Sequence, residues 1–257
     1  MKKILFLSLV LGILMFSGCK VPESPEISSK CDTLIFELEK DFCYEKEASE
    51  QLDLRLCNKI SRPEIIESCY MQVARGKHDL GICDMIVNER NKDECFRGVA
   101  VEAENENICH HISLNDTKEN CYLEIGRIKD DSGLCDNIDD SDKRLLCIAV
   151  VEKNLDTCEN ILEEKQRQTC FVGVAEVKQD LSICNDKIGE QDYKDWCYNV
   201  VAVTKQEIGI CDMIADQNWT GMKGLCYLGV AVAQNNKSIC DDIGDISTKN
   251  LCILSVD

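Results

Sequence analysis

Cysteine is the residue in this chain best placed to do chemistry, and there are 19 of them in 257 residues. Apart from Cys19 they alternate between two settings. The first, D-x-x-I-C-D-x-I at its clearest, holds Cys31, Cys57, Cys83, Cys109, Cys135, Cys158, Cys184, Cys211 and Cys240. The second, C-(Tyr/Phe)-x-x-V-A, holds Cys43, Cys69, Cys95, Cys121, Cys147, Cys170, Cys197, Cys226 and Cys252. Within a pair the step is 12 residues, lengthened to 13 and 15 in the seventh and eighth pairs. Between pairs it is 14, shortened to 11 from Cys147 to Cys158. No C-x-x-C occurs, so a thioredoxin-type dithiol is absent, and zinc-knuckle spacing is missing too. Cysteines at 12 and 14 residues read as structural bridges rather than as ligands or nucleophiles.

Other chemistry is sparse. The three histidines are His78, His110 and His111, and His110-His111 falls where Asp84-Met85 and Asp212-Met213 stand elsewhere, so exposed helix surface is expected there. There is no glycine-rich phosphate loop, no G-x-S-x-G and no repeated carboxylate pair in a distinctive setting. The sequence therefore predicts a protein without catalytic activity, cofactor or metal centre.

The residues around the cysteines name the elements that carry them. Four places before the first cysteine stands Asp53, Asp79, Asn105, Asp131, Asn154, Asp180, Glu207 or Asn236, mostly helix N-cap types. Three places after it comes an aliphatic residue such as Ile60, Ile86 or Ile112, one turn on; the seventh unit slips, with Lys187 there and Ile188 next. Around the second cysteine, Cys95, Phe96, Val99, Ala100 and Ala103 form a helical stripe and not a strand alternation. The fold expected is all-α: nine helical hairpins of about 26 residues over residues 31–257, stacked as an αα-solenoid because one hairpin cannot bury its own stripe. The three residues missing after Cys147 amount to nearly one turn and leave the faces in phase. The extra ones in the eighth unit fall in its link, between Ala215 and Gly224. The end units read as caps. Glu47 replaces the valine that recurs as Val73, Val99, Val174, Val201 and Val230, and the last unit runs barely a turn past Cys252.

Two pairing registers are open, inside a unit or across its boundary. Inside, both cysteines stand about four residues from the link, roughly 6 Å from the turn, level on antiparallel arms. Across the boundary the heights differ by roughly 7 Å, beyond what a bridge prefers, and Cys31 and Cys252 lose their partners. The favoured set is Cys31–Cys43, Cys57–Cys69, Cys83–Cys95, Cys109–Cys121, Cys135–Cys147, Cys158–Cys170, Cys184–Cys197, Cys211–Cys226 and Cys240–Cys252.

Composition agrees that bridges replace bulk. Apolar residues reach 44% only with the cysteines counted, and aromatics are 5%. The net charge is −18; residues 1–18 carry only Lys2 and Lys3, so the remainder stands two charges lower, at −20. Such a field repels phosphate backbones, which excludes nucleic acid as a partner. It suits a soluble acidic surface, and leaves a basic partner or loosely held cations as functional readings.

Residues 1–18 combine Lys2-Lys3 with an apolar run from Ile4 to Phe16, short for a membrane-spanning helix. Phe16-Ser17-Gly18-Cys19 resembles the lipobox of prokaryotic lipoproteins, with Phe16 where leucine is usual. That resemblance implies a cleaved signal, lipidation of Cys19 and membrane anchoring, with residues 19–30, rich in Pro, Ser and Glu, as a flexible tether. A cleaved soluble protein or an uncleaved anchor would also place the body outside the cytoplasm, where disulfides persist. In architecture the repeats resemble tetratricopeptide-like and Sel1-like cysteine-rich repeats, although the period is about 26 and not 34. What that resemblance implies is binding of a protein or peptide along one face. Three further features are candidates: glycosylation sequons at Asn115, Asn218 and Asn236, Trp219 as a partner contact, and an acidic ridge formed by the Asp or Asn that follows the first cysteine in seven units (Asp32, Asn58, Asp84, Asp136, Asn185, Asp212, Asp241). The leading expectation is a lipid-anchored interaction or scaffold solenoid; a structural envelope spacer and a cation-binding or thiol-redox envelope protein are the alternatives.

Overall fold

The computed structural model describes residues 30–215 and 221–256; among them helix is the only regular element. Nine long helices mark nine units: α1 (Glu37–Gln51), α2 (Pro63–Lys77), α3 (Glu89–Glu102), α4 (Asn115–Lys129), α5 (Ser141–Val151), α6 (Glu164–Lys178), α7 (Gln191–Lys205), α8 (Met222–Gln234) and α9 (Ile246–Ser255). Before each comes a short helix holding the unit's first cysteine, such as Leu80–Cys83 or the 3-10 turn Glu106–His111. Successive long helices pack on one another, so the hairpins stack as a solenoid with one disulfide in each. The two arms are very unequal.

The first arm is short because both of its ends are specified. Its start is fixed by an Asx cap: Asp53, Asp79, Asn105, Asp131, Asn154, Asp180 and Asn236 each accept from the backbone N–H two residues on. Glu207, one methylene longer, makes no side-chain cap. Its end is fixed by the aliphatic residue three places past the cysteine. The Ile86 N–H donates to the Cys83 carbonyl at 3.1 Å while its side chain turns into the core. In the seventh unit the helix Leu181–Asp186 takes up the extra residue, so Ile188 fills the buried place and Lys187 stays outside.

Each of the first eight long helices closes on a small residue, alanine or, in α4, glycine. The Asp79 N–H donates to the Ala74 carbonyl at 3.0 Å and the His78 N–H to the Arg75 carbonyl at 3.1 Å, a Schellman ending. The six-residue bond recurs onto Ala48, Ala100, Gly126, Ala149, Ala175, Ala202 and Ala231. It obliges the residue before each cap to be left-handed. Leu52, His78, Glu104, Asp130, Lys153, Gln179, Gln206 and Asn235 all have φ between 48° and 56°, and none is glycine. Each such residue costs about 1 kcal/mol relative to glycine, and the packing that follows the turn offsets it.

The fifth unit breaks the regularity. In α4, α5 and α6 the cysteine is the seventh helical residue, so the 11 residues of α5 against 15 in its neighbours mean a turn removed from the C-terminal end, about 5.4 Å of helix. The buried core divides at this unit. Cys147 and Val151 belong with the units before it, Leu146, Ala149 and Val150 with the units after it, and Leu123 packs against both.

Candidate functional site

The eighteen cysteines of the repeats close nine bridges inside units, with Cα–Cα distances from 5.5 Å at Cys83–Cys95 to 5.8 Å at Cys109–Cys121. All eighteen sulfurs are thereby engaged, and seventeen of those residues are buried. Among the described residues one grouping of three potential metal ligands lies within 4.8 Å, Cys31, Cys43 and Glu47, and its two sulfurs are bonded to each other. Cys19, Asn218 and Trp219 lie outside the described residues.

The residue after the first cysteine has a job the sequence did not display. The tyrosine after the second cysteine reaches back across the staple and donates its hydroxyl to it. Tyr198 bonds Asn185 at 2.8 Å, Tyr227 bonds Asp212 at 2.6 Å, Tyr70 bonds Asn58 at 3.4 Å, and Tyr44 bonds Asp32. His110 occupies the same place opposite Tyr122, 3.1 Å away. Burial, and then the acidic acceptor, push the phenols of Tyr44 and Tyr227 up to about 12. Where phenylalanine replaces tyrosine, at Phe96 and Phe171, lysines take the acid instead: Lys92 holds Asp84 at 2.9 Å and Lys187 holds Glu159 at 2.8 Å. The expected acidic ridge is therefore exposed, but most of its side chains are engaged by a tyrosine or a lysine, which weakens it as a cation site.

A second recurring carboxylate escaped sequence reading. Two places before the second cysteine stand Asp41, Glu67, Asp93, Glu119 and Asp195. Four of these carboxylates accept from the backbone of the following unit's link: Asp41 from Ser61 N at 2.9 Å, Glu67 from Asn88 N at 3.1 Å, Asp93 from Leu114 N at 2.8 Å and Asp195 from Ala215 N at 3.1 Å. Arg62 and Leu114 stand at the N-caps of α2 and α4 without side-chain cap bonds of their own, so one unit caps the next. The signal was present as the strings D-F-C, E-S-C, D-E-C, E-N-C and D-W-C, but its meaning depends on a neighbour 20 or more residues away.

The surface feature that departs most from the repeat is the notch left by the missing turn of α5. It is a groove of about 540 Å³, with Val101, Ile128, Val151 and Val177 as its aliphatic lining. Because α4 and α6 keep full length, Arg127 reaches over the shortened helix to Glu176 at 3.2 Å, a bond between units 49 residues apart. On the flank Arg97 holds Glu124 at 2.6 Å and Glu94 at 2.7 Å. The floor is held tightly: a Cβ at Gly173 would lie 2.7 Å from Val150 Cγ2, so only glycine lets α6 approach α5 this closely. The result is an apolar slot framed by ion pairs, which can accept an aliphatic side chain.

The remaining candidates are spread elsewhere. Asn115 is the first residue of α4 and is exposed. Asn236 is exposed too, and its side-chain oxygen caps the ninth short helix. His111 lies against the Phe96 ring with centroids 5.5 Å apart. No helix among the described residues is long and apolar enough to cross a membrane. No protein family, curated protein or solved structure matches the chain. Its architecture is a tandem array of disulfide-stapled helical hairpins, and the crosslink density fits an oxidising, extracytoplasmic environment.

Proposed function

We propose that this chain is a non-catalytic interaction scaffold, anchored to the outside of a membrane through a lipid on Cys19, that holds a protein or peptide partner against its helical stack. The notch carries this reading. It is an irregularity in an otherwise repeated surface, its lining is aliphatic, and its ion pairs are neutralised among themselves. A net charge of −18 favours a partner with basic residues flanking an aliphatic anchor. The lipobox-like Phe16-Ser17-Gly18-Cys19 supports the anchor, and the nine bridges support a body outside the cytoplasm.

The test compares the full chain with an Ile128→Glu, Val177→Glu variant in crosslinking pull-downs from envelope extracts. Both positions are at least partly exposed, so nine bridges by intact mass confirm that the variant folds. A partner recovered with the parent chain and lost with the variant supports the reading. Metabolic labelling with a clickable fatty acid, lost in Cys19→Ser, tests the anchor separately. A spacer role is the second reading, favoured by the nine staples. It predicts loss of envelope integrity on deletion, restored equally by the parent chain and the notch variant. Native thiol titration separates both from a redox role, which needs free sulfurs beyond Cys19.

A further inference from the structure

Although α5 is a turn short, it does not lose contact evenly on its two sides. Against α6 it packs as fully as the regular helices pack on one another, whereas its contact with α4 is the smallest between consecutive long helices. Gly173 is one reason, since without a Cβ it lets α6 close on Val150. The polar joins differ in the same sense. Asp41, Glu67 and Asp93 bond the backbone of the next link, but Glu119, in the same place on α4, holds the ammonium of Lys143 at 2.7 Å, shared with Asp116 at 2.6 Å. From α5 to α6 a backbone bond returns, with the Glu163 N–H donating to Asp142 at 2.8 Å. At the C-terminal end of α4 the ties are again ion pairs, Arg127 to Glu176 at 3.2 Å and Lys153 to Asp130 at 3.6 Å. The buried core divides at this same unit. Two grooves border both α4 and α5: the notch, and one of about 510 Å³ beside Leu123, Lys143 and Leu146.

We propose that the α4–α5 junction is a hinge: units one to four and units five to nine move as two bodies about it, and the bond from Arg127 to Glu176 is the strap that holds them closed. The strap starts on one body, passes over α5 and ends on the other, framing the notch. Its energy is of the kind a hinge needs. Partly exposed ion pairs contribute about 1 kcal/mol or less each and are screened by salt. A backbone join such as that from Asp93 resists displacement, because its loss strands the Ser113 and Leu114 N–H groups. Leu123 and Arg127, one turn apart on α4, and Leu146 and Val150, one turn apart on α5, place the two grooves on one face. Rotation away from α4 therefore parts Arg127 from Glu176 and Lys143 from Asp116, and widens both grooves together. The regular junctions hold their register inside each body, so the change is confined to one interface. A hinge here needs no partner in the notch.

The experiment measures distances between nitroxides by double electron–electron resonance in the full chain carrying Cys19→Ser. The labels sit on non-canonical residues, because the repeat cysteines are engaged, and nine bridges by intact mass confirm that each labelled chain folds. One pair spans the junction, at the exposed positions 77 and 178 in α2 and α6. Two control pairs stay within a body, at positions 51 and 102 and at positions 178 and 250, all exposed. At about 10 mM salt all three distributions are expected to be narrow. At about 1 M salt, where the screening length falls to about 3 Å, the spanning pair is expected to broaden and shift by about 5 Å, the length of the missing turn, with the controls unchanged. Arg127→Ala with Lys143→Ala is expected to give that distribution already at low salt. Reversing the strap, Arg127→Glu with Glu176→Arg, is expected to keep the narrow one. A spanning pair that stays as narrow as the controls at every salt concentration overturns the hinge. So do controls that broaden along with it, which would mean a stack loosened throughout. A spanning pair that salt moves but Arg127→Ala with Lys143→Ala does not would overturn the strap.

Discussion

The units before the notch and the units after it are built on the same staple but joined differently. In the first four junctions a carboxylate two places before the second cysteine reaches into the next unit, and Asp41 and Asp93 do so from nearly complete burial. After the notch that place is held by Leu145, Gln168, Asp195, Gly224 and Asn250, and Asp195 alone is acidic. Gln168 turns its amide back to Glu164 and leaves its oxygen buried without a partner; Asn199 likewise leaves its oxygen unpaired beside α8. Glycines let helices close up in both regions: a Cβ on Gly229 would come within 2.6 Å of Val203 Cγ2, and one on Gly98 or Gly76 would overlap Arg75 or Leu52. The early region also has a defect, the unpaired buried Nε of Arg75. The two regions thus share close packing and differ in how many carboxylates join one unit to the next.

The largest effect expected is from reduction. Each bridge contributes about 3 kcal/mol in the chain-entropy account, and a body poor in aromatics has little else to replace nine of them. Helical circular dichroism and the cooperative melt are expected to be lost. Under limiting reductant, differential alkylation with mass mapping should label cysteines after Cys158 before those ahead of Cys121. Uniform labelling would break the comparison between the two regions.

Next in size, Asp93→Ala leaves the Ser113 and Leu114 N–H groups without acceptors and should cost about 3 kcal/mol in chemical denaturation. Gln168→Leu removes an acceptor that already lacks a partner and should lie within about 1 kcal/mol of the parent. Equal losses would show that polar joining matters no more before the notch than after it.

How much of this was legible follows the range over which each residue acts. The staple Cys83–Cys95, the cap at Asp79 and the Val99-Ala100 stripe are specified within 25 residues, and the sequence displays them directly. Asp93 does not reveal itself, because the groups it serves lie in the next unit. The left-handed residues were hidden for another reason: at His78 or Gln206 no glycine marks the turn, which is imposed by the bond from the cap to the alanine behind it. The missing turn of α5 could be counted, whereas the groove appears only because α4 and α6 remain long.

The tyrosine bonds should not distinguish the regions, which makes them an internal control. Tyr44 lies in the first unit and Tyr227 in the eighth, and both are raised from 10.0 to about 12 in the folded chain. Because the folded state holds the proton more tightly, their contribution is complete below the unfolded value. It is lost as the pH rises from about 10 to about 12. Stability measured across that window should fall, and Tyr44→Phe and Tyr227→Phe should each flatten the fall to a similar extent, at a cost near neutral pH of about 1 kcal/mol. A flattening produced by one and not the other would place a real difference in the staples themselves.

The smallest effect is a gain. His78→Gly and Gln206→Gly relieve a left-handed residue in either region, at φ 53° and 56°, and should raise stability by about 0.5–1 kcal/mol each. A melting-temperature rise for both would confirm that the turn strain is shared across the notch.

The pairing pattern also bears on how the chain is made. Every bridge joins a cysteine to the next one along, 12 to 15 residues later. A chain delivered N-terminus first can therefore be oxidised in order of emergence. Each thiol meets its native partner before any later one arrives, and no bond has to wait for, thread past or exchange with a distant segment. Nine crosslinks then form as nine separate local events, and an interruption during synthesis leaves finished units behind it.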